Sequence, residues 1–265
     1  YWLNSFSAQK SIKRIVTKGV SQANINPTEF KKHCSVPLPS LPEQEAIAGV
    51  LECWDTAIRN YEKKIEKKRN IKKGLMQRLL YGKQRLPGFW GMWKEVRLGK
   101  VLVEKPKYGI NAASVPYSED LPTYLRITDI SEHGRFLPDG AVSVDNADSK
   151  DYYLDSGDLV FARTGASTGK TYLYDQRDGR LVYAGFLIRV TPDPTKLNSQ
   201  FLKYYSETHA YWKWVSIMCT RSGQPGINGK EYASLHLSLP SLDEQNAISS
   251  VLSRANDEIQ ALERK

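Results

Sequence analysis

A chain of 265 residues with 40% hydrophobic content can bury a substantial core, so one or two domains are expected. It holds no stretch of about 18 apolar residues from which a membrane-spanning helix could be built. Its three cysteines form no C-x-x-C pair and its four histidines are scattered, which argues against a disulfide framework or a zinc site and fits a reducing cytoplasm. The formal net charge of +9 invites a polyanionic partner, but residues 1–85 carry 17 Lys and Arg against 7 acids, leaving 21 against 22 for residues 86–265. Charge alone therefore does not place nucleic acid on the larger, C-terminal part.

Residues 1–40 read as a fragment. The stretch from Tyr1 to Phe30 aligns with Lys203–Tyr232 at an offset of 202, matching Ala8 to Ala210, Ile15 to Ile217, Gln22 to Gln224 and Ile25-Asn26 to Ile227-Asn228. The reading is of the last part of a first domain whose body is missing, too short to fold alone.

The chain's most regular stretch follows. A helix is expected from Leu41 to Tyr81, opened by a capping box in which Ser40 takes a free amide and Glu43 reaches back, with Pro42 where an absent N–H costs nothing. Ile47, Leu51, Trp54, Ile58, Tyr61 and Ile65 recur at alternating spacings of four and three, the spacing of a seam packed against another helix. Leu75 and Leu79 continue the apolar face, Gly82 supplies a left-handed cap, and Pro87 and Gly88 forbid continuation. At about 1.5 Å per residue such a helix is a rod of roughly 60 Å. Its cationic run KKIEKKRNIKK is either a solvated face or a phosphate-facing one. The opening LPSLPEQEAIAGVL returns as LPSLDEQNAISSVL, with Ser241 and Glu244 repeating the box and Ile248, Leu252 and Ile259 repeating the seam. The second helix is still open at Lys265, so the chain reads as cut there.

Between the helices, residues 86–242 form the body. Val96–Val103, Tyr124–Ile130, Asp158–Arg163, Lys170–Tyr174 and Leu181–Val190 are rich in β-branched and aromatic residues and are predicted strands. Asn198 caps a predicted helix whose Phe201, Leu202, Tyr205, Trp212 and Val215 share a face, and a short helix leads into the second long one. Six acids against one lysine between Asp139 and Asp158 mark an edge turned away from any phosphate backbone.

Catalytic patterns are lacking. GASTGKT has Thr164 where a phosphate loop needs glycine, and it joins two strands where a strand-to-helix turn is required. No strand carries the paired carboxylates and lysine of a nuclease, and there is no G-x-S-x-G, no Gly-rich cofactor loop and no D/N-P-P-Y/F. What the body offers instead is glycine-rich loops with isolated cations. Arg163, Thr164, Ser167, Thr168 and Lys170 lie on one predicted hairpin, Arg177 and Arg180 on the next, and Thr220, Arg221, Ser222 and Gln224 on the loop after the helix. Glycine lets backbone approach a phosphate, hydroxyls and lysine hold register, and Arg or Gln reaches base edges with two hydrogen bonds. Tyr108 could stack on a base or merely pack.

These motifs carry a resemblance. The helix opening LPEQEAIAGVLECWDTAIRNYEKKIEKKRNIKKGLMQRLLYGKQRLPGF, the strand-rich stretch with FARTGASTGK, then SGQPGIN and LPSLDEQNAI make the chain similar to the DNA-specificity subunits of type I restriction-modification enzymes. The resemblance implies an α/β (mixed α+β) target-recognition domain joined to long antiparallel coiled-coil spacer helices. Residues 1–40 would be the remnant of a first recognition domain, 41–85 the first spacer, 86–242 a complete recognition domain and 243–265 the start of the second spacer. It implies a noncatalytic subunit that reads one half of a bipartite site on double-stranded DNA and docks methyltransferase and restriction subunits. S-adenosylmethionine, ATP and Mg would bind only those partners. With the second spacer short, an antiparallel pairing leaves Ile47–Tyr61 uncovered, and a homodimer through the spacer helices is the simplest cover. The competing reading is an α/β protein-interaction module on a coiled-coil stalk, supported by the near-neutral body.

Overall fold

The computed structural model of the chain describes residues 1–18, 23–220 and 226–264. They fall into two compact units, Tyr1–Lys67 and Lys68–Lys265. In the first, the Ser5 hydroxyl accepts the Ala8 N–H at 3.3 Å and opens α1 (Phe6–Ile15). β1 (Val16–Lys18) and β2 (Ala23–Ile25) pair antiparallel, Val16 opposite Ile25. The Asn26 side chain then caps α2 (Pro27–His33), with Pro27 at the first helical position. The described residues of the first forty thus form short local elements, although Ala8 is the only buried residue among the described residues of this unit. A helix of 39 residues, α3 (Leu41–Leu79), begins here and ends in the second unit.

The second unit adds, in chain order, β3 (Lys94–Arg97), β4 (Lys107–Tyr108), β5 (Val115–Pro116), β6 (Thr123–Leu125), β7 (Val142–Ser143), β8 (Leu159–Ala162) and β9 (Thr171–Leu173). Then come β10 (Leu181–Tyr183), β11 (Leu187–Val190), α4 (Ser199–Tyr205), α5 (His209–Cys219), α6 (Gly229–Ala233), β12 (His236–Leu239) and α7 (Leu242–Glu263). One sheet runs β4-β11-β8-β9 and is wholly antiparallel. A second runs β10-β6-β7-β5, with β10 and β6 parallel, and β12 pairs with β3 apart from both.

Several elements are shorter than the sequence pattern predicts. The run Val96–Val103 leaves strand geometry after Arg97, where Leu98 is buried and Gly99 lies so close to Ala233 that a Cβ there would sit 3.0 Å from the alanine's own. Tyr124–Ile130 gives way after Leu125 to a 3₁₀ turn, held by the Asp129 carboxylate on the Arg126 N–H at 2.8 Å. Leu181–Val190 is two strands in two sheets, because the chain turns at Ala184–Phe186, where the Leu187 N–H donates to the Ala184 carbonyl at 2.8 Å. The helix expected from Asn198 breaks after Tyr205. There Ser206 and Thr208 bond the carbonyls of Lys203 and Tyr205, and Thr208 caps a new helix. Strand β12 was not expected at all, although Leu237 and Leu239 alternate and are buried.

β8 is buried on both faces and divides the core. Leu159 and Phe161, with Ile188 and Val190 of β11, face a cluster that includes Phe201, Tyr211, Tyr232, Met76, Leu79, Leu80, Ile248 and Leu252. Val160, Ala162 and Leu187 face a second cluster with Leu125, Leu154, Leu181 and Tyr183. The end of α3 and the start of α7 are thus anchored in one core. Their antiparallel course is visible in bridges from Lys68 to Glu258, Lys72 to Asn256 and Arg85 to Glu244. Leu75, Leu79, Ile248, Leu252 and Ile259 of the expected seam are buried or partly buried, whereas Ile47, Trp54, Ile58 and Tyr61 are exposed and Leu51 and Ile65 lie between.

The repeat read in the sequence is structural in part. Asn26 and Asn228 cap equivalent short helices, and Gln44 and Gln245 each donate to the carbonyl of the proline five residues earlier. In the second copy Ser241 caps α7, but Glu244 does not reach back. Its carboxylate, 1% exposed, takes both Nε and Nη2 of Arg85 at 2.5 and 2.6 Å.

Candidate nucleic-acid interface

At one end of the first sheet the buried face runs out in polar side chains. Along β8, residues alternate between the two clusters, so Arg163 continues the side of Phe161 one step beyond the core. Its backbone is pinned twice, the N–H donating to the Phe186 carbonyl at 3.0 Å and the carbonyl accepting from the Ile227 N–H at 2.9 Å. The guanidinium lies over the ring of Tyr108, 4.9 Å from its centroid, and the Tyr108 hydroxyl accepts the Gly229 N–H at 3.0 Å. Strand β4 reaches this place because residue 109 is glycine, since a Cβ there would overlap the carbonyl oxygens of Tyr183 and Ala184. Thr164 bridges to Gly226, which follows the loop containing Arg221, Ser222 and Gln224; those three residues lie outside the described residues. Thr220, exposed at the end of α5, precedes the same loop.

The hairpin from β8 to β9 places its remaining candidates differently. Ser167 closes a 3₁₀ turn begun by Gly165 at φ 71°, and Thr168 is buried with its hydroxyl on the Gly165 carbonyl at 2.7 Å. Gly169, at φ 92°, is held against α5, where the Tyr211 hydroxyl donates to its carbonyl at 2.7 Å. Lys170 is paired with Glu132 at 2.5 Å beside a small cavity of about 230 Å³. Lys203, also in that cavity and 6% exposed, bonds Glu207 and Thr171, and burial pushes its ammonium below the usual lysine range.

Arg177 and Arg180 lie on the next hairpin and are already engaged. Arg177 wraps the Asp175 carboxylate, which that guanidinium holds below the usual range, and Arg180 donates to the Tyr153 hydroxyl at 2.7 Å while covering its ring. Arg177 also lines a cleft of about 900 Å³ beside the ends of α3 and α7, where Lys72 pairs with Glu207 at 3.5 Å. The structure therefore gathers Tyr108, Arg163, Thr164 and the flanks of the 221–225 loop, and leaves Arg177 and Arg180 elsewhere. Sequence reading missed Phe186, which is 58% exposed beside Arg163. The signal was Gly185 inside an otherwise continuous strand pattern.

Among the described residues no cluster of three or more His, Cys, Asp or Glu side chains is placed to hold a metal, and no helix is long and apolar enough to cross a membrane.

The chain is 26% identical over 275 residues to a putative type I restriction enzyme MjaX specificity subunit of Methanocaldococcus jannaschii, and 25% identical over 297 residues to the MjaVIII specificity subunit of the same organism. Both alignments cover 100% of this chain but only 62% and 65% of those proteins, so the chain spans less than two thirds of their length. The fold is similar to that in the crystal structure of the S subunit of a type I restriction-modification system from M. genitalium, with a TM-score of 0.66 at 15% identity, covering 97% of this chain and 65% of that one. Residues 93–265, well over half of the chain, match the type I restriction modification DNA specificity domain, and the chain belongs to that family.

Proposed function

We propose that the chain is a noncatalytic recognition subunit of a type I restriction-modification system, whose body reads one half of a bipartite site on double-stranded DNA. The observation that carries this reading is the convergence of a stacked arginine, a threonine and the flanks of a Gly-rich loop at one end of an antiparallel sheet, in a member of the specificity family. Phosphate contacts would supply affinity and the rim specificity. The long helices would dock methyltransferase and restriction subunits, which bind S-adenosylmethionine, ATP and Mg. The exposed seam of α3, with Trp54 at 66% and Ile58 at 53% exposed, would be covered by a second copy when those partners are absent.

DNA binding is tested by mobility shift of a mixed-sequence duplex at two salt concentrations. An affinity that falls with a log–log slope of about −0.9 per phosphate contacted supports the reading. Binding that is absent, or indifferent to salt, favours a protein-interaction module instead, a role to which the near-neutral charge of residues 86–265 is suited. Dimerisation is tested by sedimentation equilibrium of the chain and of the Leu51→Glu/Trp54→Glu variant. A parent that stays monomeric at tens of micromolar excludes it.

A further inference from the structure

We infer that Arg163 reads a guanine in the DNA half-site, as a base-edge contact rather than a phosphate contact. The inference rests on the proposed DNA-reading role of the rim and adds which residue reads and what it reads.

Three features of Arg163 set it apart from the other candidate cations among the described residues, Lys170, Arg177 and Arg180. Its position is fixed, because both backbone groups are bonded, to Phe186 on one side and Ile227 on the other. Its guanidinium is held over an aromatic face, its Cζ 4.9 Å from the ring centroid of Tyr108, whose own hydroxyl is held by the Gly229 amide. Among the described residues no hydrogen bond or ion pair uses its guanidinium. By contrast Lys170 is paired with Glu132, Arg177 with Asp175, and Arg180 with the Tyr153 hydroxyl.

A guanidinium lying over a ring face has few rotamers left to it, and its own planarity keeps its N–H donors in one fork. Two parallel donors fixed in one plane match two coplanar acceptors, and O6 with N7 of guanine is the base-edge pair that presents them in the major groove. A phosphate also accepts such a fork with two hydrogen bonds, but it offers the same acceptors at every base pair, so a phosphate contact would carry no base preference. Preorganisation also means that little side-chain entropy is lost on binding, which favours discrimination over mere attraction.

The test is selection of bound duplexes from a random library with the parent chain, Arg163→Ala and Arg163→Lys, each first checked for an unchanged melting temperature. The parent should select a site with a fixed guanine, and Arg163→Ala should lose preference at that one position by about 5- to 150-fold while keeping the others. Arg163→Lys, with a point charge in place of the fork, should recover little of the preference. Replacing that guanine by 7-deazaguanine, which removes N7, should weaken the parent about tenfold and leave Arg163→Ala unchanged. Tyr108→Leu should blur the same position, and Tyr108→Phe, which keeps the ring but loses the bond to Gly229, should blur it less.

If Arg163→Ala weakens all sequences alike, the residue is a phosphate contact and the inference is overturned. It is equally overturned if the lost preference falls on another base, or if no preference is lost. A parent that binds no duplex at all fails at the earlier step, and is distinguished by the mobility shift.

Discussion

Single atoms decide where the rim can form. Gly109 is the clearest case, because its φ is unremarkable and its role is space: a Cβ would overlap the carbonyls of Tyr183 and Ala184, and the neighbouring Ile110 N–H donates to that Tyr183 carbonyl at 3.0 Å. Backbone cannot swing aside as a side chain can, so Gly109→Ala should cost about 2 to 3 kcal/mol in thermal or urea unfolding and displace Tyr108 from under Arg163. A variant as stable as the parent would show that β4 has room to move. Tyr183 supplies a second test. Burial pushes its phenol from 10.0 up to about 12, with the nearby Arg189 opposing in a smaller measure. The folded state therefore keeps the phenol neutral where the unfolded chain has begun to ionise it. Its contribution to stability is complete below pH 10 and is lost between pH 10 and about 12. Several other buried tyrosines shift in the same direction. Tyr183→Phe should therefore show a shallower fall of stability over that window than the parent, and equal slopes would refute the assignment. Much of this scale was hidden from the sequence. Arg163, Thr164 and Tyr108 were legible as residue types, but nothing in KPKYG or FART says that the guanidinium and the tyrosine ring meet, because the contact spans 55 residues. Lys170 and Arg177 looked equally free, and their carboxylate partners became visible only in three dimensions.

At the scale of elements, the junction of α3 and α7 rests on one unequal pair. Glu244 is almost fully buried at the first turn of α7, and Arg85, past the end of α3, meets it with two nitrogens while its third reaches the Gly91 carbonyl at 2.7 Å. Removing the arginine leaves a carboxylate without its counter-charge in a buried place, a far worse change than removing one half of an exposed bridge. Arg85→Ala should thus lower the melting temperature clearly, Lys68→Ala (whose partner Glu258 is exposed) hardly at all, and Arg85→Ala/Glu244→Gln should recover part of the loss. A melting temperature that falls as far for Lys68→Ala as for Arg85→Ala would contradict this ordering. The long helices were legible because their signal is local: a four-three apolar spacing sustained over many turns, with the Ser241 cap opening α7 and Gly82 at φ 64° after the end of α3. The strands were legible only as apolar runs. Where one run served two sheets, as in Leu181–Val190, or bent to bury Leu98, the outcome was set by partners distant in sequence. The capping box read at Ser241 failed at Glu244 for the same reason, since the buried carboxylate is engaged by Arg85, 159 residues away, and not by a local amide.

At the scale of the whole chain, stability is distributed unevenly. Of the side chains that are buried, all but Ala8 lie in residues 68–265 among the described residues, while Tyr1–Lys67 exposes Phe6, Ile47, Val50, Trp54 and Ile58. Local opening free energies follow buried apolar contact, running from near zero where there is little of it to the global value in a core. α3 crosses this divide as one helix, with its buried residues, Met76 and Leu79, confined to its last two turns. An isolated helical stretch without tertiary cover is marginal in water whatever its propensity. Amide hydrogen exchange on the dilute chain should therefore show protection falling along a single helix, strong at Met76–Leu79 and weak at Ile47–Tyr61. Raising the concentration should restore protection at Ile47–Tyr61 if a second copy covers the seam, with the amides near Trp54 and Ile58 slowing first, and leave Met76–Leu79 unchanged. Uniform, concentration-independent protection from Leu41 to Leu79 would show that α3 is stabilised along its whole length within one chain, and would remove the reason for expecting a partner there.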